Sequence, residues 1–187
     1  MDPVLIDFPE KIETERLYFR PCLHGEGILV HEAIAASRAS LSKWLPFAKN
    51  EQTVEEVEAG IRQSYAEFIK RSDFRMHIFL KDGDVFVGSI GLHRINWDVK
   101  KFEIGYWCDI RHSKKGYITE AVEQLTQFTF SHLQANRIEI RCDSENTSSR
   151  NIPERLGYTL EGILRKDSLA TDGQTLRDTC VFAKVKE

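Results

Sequence analysis

The stretch KFEIGYWCDIRHSKKGYITEA, residues 101–121, changes its periodicity halfway along. Residues 101–110 read as a strand. From 116 to 134, Ile118, Ala121, Val122, Leu125 and Phe128 recur at helical spacing. The turn between them, RHSKKG, therefore points backbone N–H groups outward at the positive end of a helix dipole. Arg111, Lys114 and Lys115 put three positive charges within five residues, and Gly116 permits close backbone approach. Such a turn suits a pyrophosphate. It is equally what a solvated basic loop with a helix cap looks like. The GxxxxGK[ST] and GxGxxG patterns are both missing, which argues against an ordinary P-loop or dinucleotide fold.

Working outward, FRMHIFL at 74–80 places Phe74, Met76, Ile78 and Leu80 on one face of a strand. A DGD turn at 82–84 leads to a second strand, DVFVGSIGLHRI, and the 101–110 strand follows. These three predict an antiparallel meander. Beyond the 116–134 helix, NRIEIRCD at 136–143 reads as a strand. A strand–helix–strand crossover makes it parallel to 101–110. NTSSRNIPERLGY reads as a short helix opened by Asn146 and closed by Gly157, with Pro153 best accommodated in the first turn. Two last strands, near 158–168 and 175–185, flank the turn TDGQ. Upstream, 14–20 alternates as a strand and 24–37 reads as a helix by apolar density. Residues 53–71 form a helix with a Thr53–Glu56 capping box and a Val54, Val57, Ile61, Tyr65, Phe68 stripe. The fold class is α/β: a mixed sheet with helices on its faces, in a single domain over 1–187.

Composition narrows the function. The chain has 187 residues, 41% hydrophobic, with 26 Lys+Arg against 29 Asp+Glu, so its net charge is −3. A dedicated nucleic-acid binder is usually basic, so no nucleic acid is expected as a direct partner. No apolar window is long enough for a transmembrane helix, and the start MDPVLIDFPEKIE lacks the basic and apolar regions of a secretory signal. A cytoplasmic protein with no membrane partner is expected. Cys22, Cys108, Cys142 and Cys180 lie far apart and are expected as free thiols. His24, His31, His77, His93, His112 and His132 show no ligand spacing, so no metal is expected. Asn146 and Ser149 share a helical face three residues apart, which by itself says only that Asn146 caps a helix.

Six segments then come in one order: ETERLYFRP at 13–21, WLPF at 44–47, EIGYW at 103–107, KKGYITEA at 114–121, NRIEIRCD at 136–143 and NTSSRNIPERLGY at 146–158. This run resembles the GNAT superfamily of N-acetyltransferases, and within it the Rim-type branch of ribosomal-protein-alanine N-acetyltransferases. The resemblance implies a mostly antiparallel mixed sheet whose central parallel strands, 102–110 and 136–142, splay apart. It implies acetyl-CoA as cosubstrate. The pantetheine arm would pair with backbone groups of Cys108, Asp109 and Ile110. The family's pyrophosphate loop, Q/R-x-x-G-x-G/A, maps onto Arg111, Lys114 and Gly116, so that Arg111, His112, Ser113, Lys114, Lys115, Gly116, Tyr117 and Ile118 would form the cradle. Lys114 departs from the family's glycine. If φ there is positive, a lysine is strained by about 1 kcal/mol or more.

The implied chemistry is acyl transfer from a thioester to a primary amine, either a protein N-terminal amine or a small molecule such as a polyamine, amino sugar or antibiotic. Glu103 is the candidate that helps the ammonium lose its proton, directly or through water. A backbone N–H freed by the splay would meet the oxyanion. The resemblance makes Ser149 the candidate donor to the departing sulfur and gives Asn146 the task of orienting the pantetheine or the helix start. Tyr158 is a fallback acid. Cys142 raises the question of a covalent intermediate, but no Cys–His pair stands beside it, so direct transfer is preferred. Trp44 and Phe47 resemble the segment near the acceptor entrance; for Trp44 a core anchor is an equal reading. A different class stays open: a non-catalytic acyl-CoA-binding or interaction module, favoured by Lys114. The strand edges near the C-terminus leave a homodimer open.

Overall fold

A computed structural model describes residues 2–187. The chain runs β1 (Ile12–Glu13), β2 (Leu17–Pro21), α1 (Gly27–Leu41), α2 (Val54–Lys70), β3 (Phe74–Leu80), β4 (Phe86–Asn96) and β5 (Lys101–Cys108), then α3 (Tyr117–Ser131), β6 (Arg137–Asp143), α4 (Thr147–Arg155), β7 (Thr159–Leu169) and β8 (Leu176–Val185). All eight strands join one sheet in the order β1-β2-β3-β4-β5-β6-β8-β7. The mixed α/β class, the β3–β4–β5 meander and the parallel β5–β6 pair all follow the sequence expectation. No helix among the described residues is long and apolar enough to cross a membrane.

Alternation along the strands supplies two apolar faces. One packs Phe19, Phe74, Ile78, Phe102 and Ile138 against Leu125 of α3. The other packs Phe79, Phe86 and Trp107 against Val30 of α1 and Ile61 of α2. Each fully buried side chain of this size contributes about 1.5–3 kcal/mol, so the helices are held by burial more than by propensity. The capping box at α2 forms in both directions: Thr53 Oγ1 accepts from the Glu56 N–H at 3.2 Å, and Glu56 Oε2 accepts from the Thr53 N–H at 2.8 Å. Of the expected α2 stripe, Val57, Ile61 and Phe68 are buried, whereas Tyr65 is exposed at the edge of that face.

Pro153 corrects an expectation. It lies well inside α4 rather than in the first turn. A proline there removes the N–H that would serve the carbonyl four residues earlier. That carbonyl belongs to Ser149, and the Tyr106 hydroxyl donates to it at 3.0 Å. The helix tolerates its proline because a strand residue supplies the missing donor.

Candidate active site

The parallel ladder between β5 and β6 lasts for only three pairs, ending at Glu103↔Glu139. Past that point residues 104–108 and 140–143 diverge, while β6 keeps its pairing to β8 through Asp143. The splay holds a cavity of about 550 Å³, within the usual range for a small-molecule site. Its walls bring together Trp44, Glu103, Tyr106, Cys108, Asn146 and Ser149.

The backbone of β5 is turned to suit this cavity. The Asp109 N–H donates to the Val87 carbonyl at 2.8 Å, so Cys108, opposite Gly88, is a non-hydrogen-bonded pair with β4. Its N–H and C=O, and by alternation those of Tyr106, point into the splay. The expected backbone set narrows accordingly. The Asp109 N–H is spent on β4, and the Ile110 N–H donates to Ser37 Oγ of α1 at 2.8 Å. Of the three, Cys108 has its N–H and C=O aimed at the cavity.

The basic turn leads directly from β5 into α3. Among the described residues the backbone N–H groups of 114–119 make no intrachain hydrogen bond, the ordinary state of an open helix N-terminus. Lys114 has φ 61° and Gly116 φ 81°, so the lysine does adopt the left-handed conformation. The Arg111 guanidinium folds back on Asp109, with Nε 2.9 Å from Oδ2, and so braces the turn from below. Of the expected cradle residues, Ser113 and Ile118 line the cavity, as does Ile110 before them; the backbone donors at Lys114, Lys115, Gly116 and Tyr117 lie beyond it, and among the described residues His112 keeps a buried Nδ1 without a partner.

A latch explains why the TER and TEA segments occur together. Glu120 Oε1 accepts from Thr14 Oγ1 at 2.6 Å and from the Arg16 N–H at 3.0 Å. Arg16 pairs with Glu120 at 2.6 Å, reaches the Lys115 carbonyl at 3.1 Å and stacks on Tyr117. The turn is thus tied to the edge of the sheet.

On α4, Asn146 Oδ1 caps the helix by accepting from the Ser149 N–H at 3.2 Å, and Ser149 Oγ lies 3.3 Å from the Tyr106 hydroxyl. Glu103 sits on the opposite face of β5, 3.3 Å from Arg94 Nη1. Burial pushes its carboxyl above the usual carboxylate value, against the pull of Arg94. Burial also pushes the Cys108 and Cys142 thiols up to about 11, which leaves little thiolate for a covalent route. Tyr158 is buried, with its hydroxyl 2.6 Å from Thr126 Oγ1, outside the cavity wall. All four cysteines are free. Trp44 lines the cavity, whereas Phe47 packs near Trp107 in a second cavity of about 340 Å³ beneath α2.

Tyr106 and the pair Asp73–His93 beside the second cavity are site features that sequence reasoning passed over. Tyr106 had a signal in the proline four residues after Ser149. The other pair had only two glycines, Gly91 and Gly105, on neighbouring strands.

The family model for the acetyltransferase (GNAT) domain matches residues 16–159, and the chain belongs to that family. It is an N-acetyltransferase by that membership and by its relatives. It is 34% identical over 148 residues, 76% of each chain, to the putative ribosomal N-acetyltransferase YdaF of Bacillus subtilis (strain 168). It is 27% identical over 142 residues to the ribosomal-protein-serine acetyltransferase of Escherichia coli (strain K12), covering 76% of this chain and 75% of that one. Among solved structures, the fold matches RimL, the ribosomal L7/L12 alpha-N-protein acetyltransferase in complex with coenzyme A, at TM-score 0.87 and 19% identity over 94% and 98% of the two chains. It also matches the microcin C7 self-immunity acetyltransferase MccE in complex with acetyl-CoA and AMP, at TM-score 0.88 and 22% identity over 96% and 98%.

Proposed function

We propose that this protein transfers the acetyl group of acetyl-CoA directly to a primary amine, and that the amine is the N-terminal α-amine of a protein. The observation that carries the reading is the splay between β5 and β6, with N–H groups of β5 aimed into it and a row of free N–H groups at the start of α3. A thioester arm fits the first and a pyrophosphate the second. Relatives named for ribosomal proteins support the protein acceptor.

The bound thioester supplies the acyl carbon and a thiolate leaving group. The N–H groups of Tyr106 and Cys108 are positioned to meet an oxyanion in the splay. Ser149 Oγ stands on the wall where a departing sulfur would need a proton. Glu103, on the side of β5 facing α1 and α2, draws the ammonium in by charge. Trp44 and Phe47 give the acceptor entrance its apolar sides.

Calorimetric titration with acetyl-CoA and with CoA, followed by mass spectrometry of peptides with free N-terminal Ser or Ala, tests the reading. Micromolar binding and a 42-dalton gain on the α-amine (about one acetyl group) are expected. Acetylation of polyamines or amino sugars, with the peptides untouched, would move the acceptor to a small molecule. No binding at millimolar acetyl-CoA would end the reading.

Lys114 gives a separate prediction. Glycine there relieves the left-handed strain, worth about 1 kcal/mol, and the melting temperature should rise by about 2–4 °C. The lost ammonium should weaken acetyl-CoA binding about threefold, an effect that shrinks in high salt. Unchanged affinity at low salt would mean that the lysine makes no phosphate contact.

A further inference from the structure

The second cavity lies beneath α2 on the face of the sheet that also carries Glu103, and it shares Gly105, Tyr106 and Trp107 with the cavity in the splay. His93 lines it. The His93 Nδ1 stands 2.6 Å from Asp73 Oδ2. An ionised carboxylate can only accept, so the proton of that bond is on Nδ1. Nε2 then carries the free lone pair, and among the described residues it has no partner.

The ring is accommodated by deliberate gaps. A Cβ at Gly91 would stand 2.8 Å from both Cε1 and Nε2 of His93, and a Cβ at Gly105 would stand 2.8 Å from Cδ2. Gly91 and Gly105 face each other across β4 and β5, and His93 stands in register with Glu103 on the same face. Two adjacent strands thus give up their side chains beneath one imidazole. The side chain is about one-third exposed (34%), so the ring is fixed by its neighbours yet open to the cavity.

We propose that the Asp73–His93 pair is the proton acceptor for the incoming amine, with Nε2 of His93 as the receiving atom. This rests on the acetyl-transfer reading above. The N–H bond of the ammonium breaks and its proton goes to Nε2. The freed nitrogen lone pair forms the bond to the acyl carbon, the C–S bond breaks, and its electron pair leaves on sulfur. Sulfur takes a proton from the Ser149 hydroxyl, the acylated nitrogen gives up its second proton through solvent to the Ser149 oxygen and becomes a neutral amide, and the imidazolium, held by Asp73, returns its proton to solvent. The Nε2 lone pair opens on the cavity with no partner among the described residues, whereas the Glu103 carboxylate is already engaged by Arg94, which makes the imidazole the better-placed acceptor. Glu103, paired with Arg94, is left to attract the ammonium. The other charged groups on the wall of this cavity are Arg75 of β3 and Glu56 of α2.

The test compares pH–rate profiles of the wild type, His93→Gln, Asp73→Asn and Glu103→Gln, using acetyl-CoA with the peptide or amine that the wild type acetylates best. At neutral pH His93→Gln should lose about tenfold or more in kcat, with the deficit shrinking as alkaline pH deprotonates the amine, and with acetyl-CoA affinity unchanged. Asp73→Asn should fall between the two. An active wild type with a His93→Gln variant that keeps its rate and pH profile overturns the inference alone. A wild type that binds acetyl-CoA but acetylates no amine overturns the reading beneath it as well. Nitrogen-15 NMR of the imidazole gives a readout free of activity: the neutral ring should carry its proton on Nδ1 in the wild type and lose that preference in Asp73→Asn. A neutral ring protonated on Nε2 overturns the assignment.

Discussion

Alanine at Gly88 is expected to lower the melting temperature by about 6–12 °C and to abolish micromolar acetyl-CoA binding in the protein that remains folded. A Cβ on this residue would stand 2.2 Å from the Trp107 carbonyl oxygen and 3.0 Å from the Cys108 Cα. Both are backbone atoms of β5, so no rotamer change relieves the clash. The strand must shift, at a cost of about 3 kcal/mol or more. The displaced part of β5 is the part whose N–H and C=O groups face the splay, and it leads directly into the basic turn. Stability and binding therefore fail together. Thermal melts with calorimetry check this. A variant that melts within about 2 °C of the wild type would show that β5 can yield without strain.

The fold was legible because its pieces have local signatures. The meander has alternation and a DGD turn, α2 has its capping box, and the step from β5 to α3 changes period across a glycine. The latch was legible only as two segments that occur together; its reason is that Glu120 sits over a hundred residues from Thr14 and Arg16 yet receives hydrogen bonds from both. The site was half legible. Cys108, Glu103, Asn146, Ser149 and Trp44 do meet at one cavity. The use of the Asp109 and Ile110 N–H groups elsewhere depends on Val87 and Ser37, which no spacing announces. Likewise the Asp73–His93 pair meets only because Phe74, the residue after Asp73, starts β3 opposite Leu92, the residue before His93, and Tyr65 is exposed because α2 meets the sheet on a narrower face than its stripe. Pro153 misled because a helix interior rejects proline in isolation. In the folded chain another strand provides the donor that proline lacks.

That substitution of one donor for another makes Tyr106→Phe the second large prediction. The hydroxyl of Tyr106 serves the Ser149 carbonyl at 3.0 Å and lies 3.3 Å from Ser149 Oγ. Burial raises its pKa, so it stays protonated and remains a donor. Removing it leaves a part-buried carbonyl unsatisfied, costing about 1–3 kcal/mol, and leaves Oγ free to rotate away from the cavity. Turnover should fall about tenfold while acetyl-CoA affinity holds. Pro153→Ala returns an N–H to the Ser149 carbonyl from within the helix. The stability cost of Tyr106→Phe should therefore be smaller by about 1–2 kcal/mol in the Pro153→Ala background, as read from denaturant midpoints in a double-mutant cycle. Turnover should stay low, because alanine does nothing for Oγ. Ser149→Ala should lose more turnover than Tyr106→Phe, and adding Tyr106→Phe to it should cost no more, since the tyrosine acts on the reaction only through the serine. If the two losses instead multiply, Tyr106 touches the chemistry by a route of its own; if Tyr106→Phe alone turns over normally, the serine needs no such support.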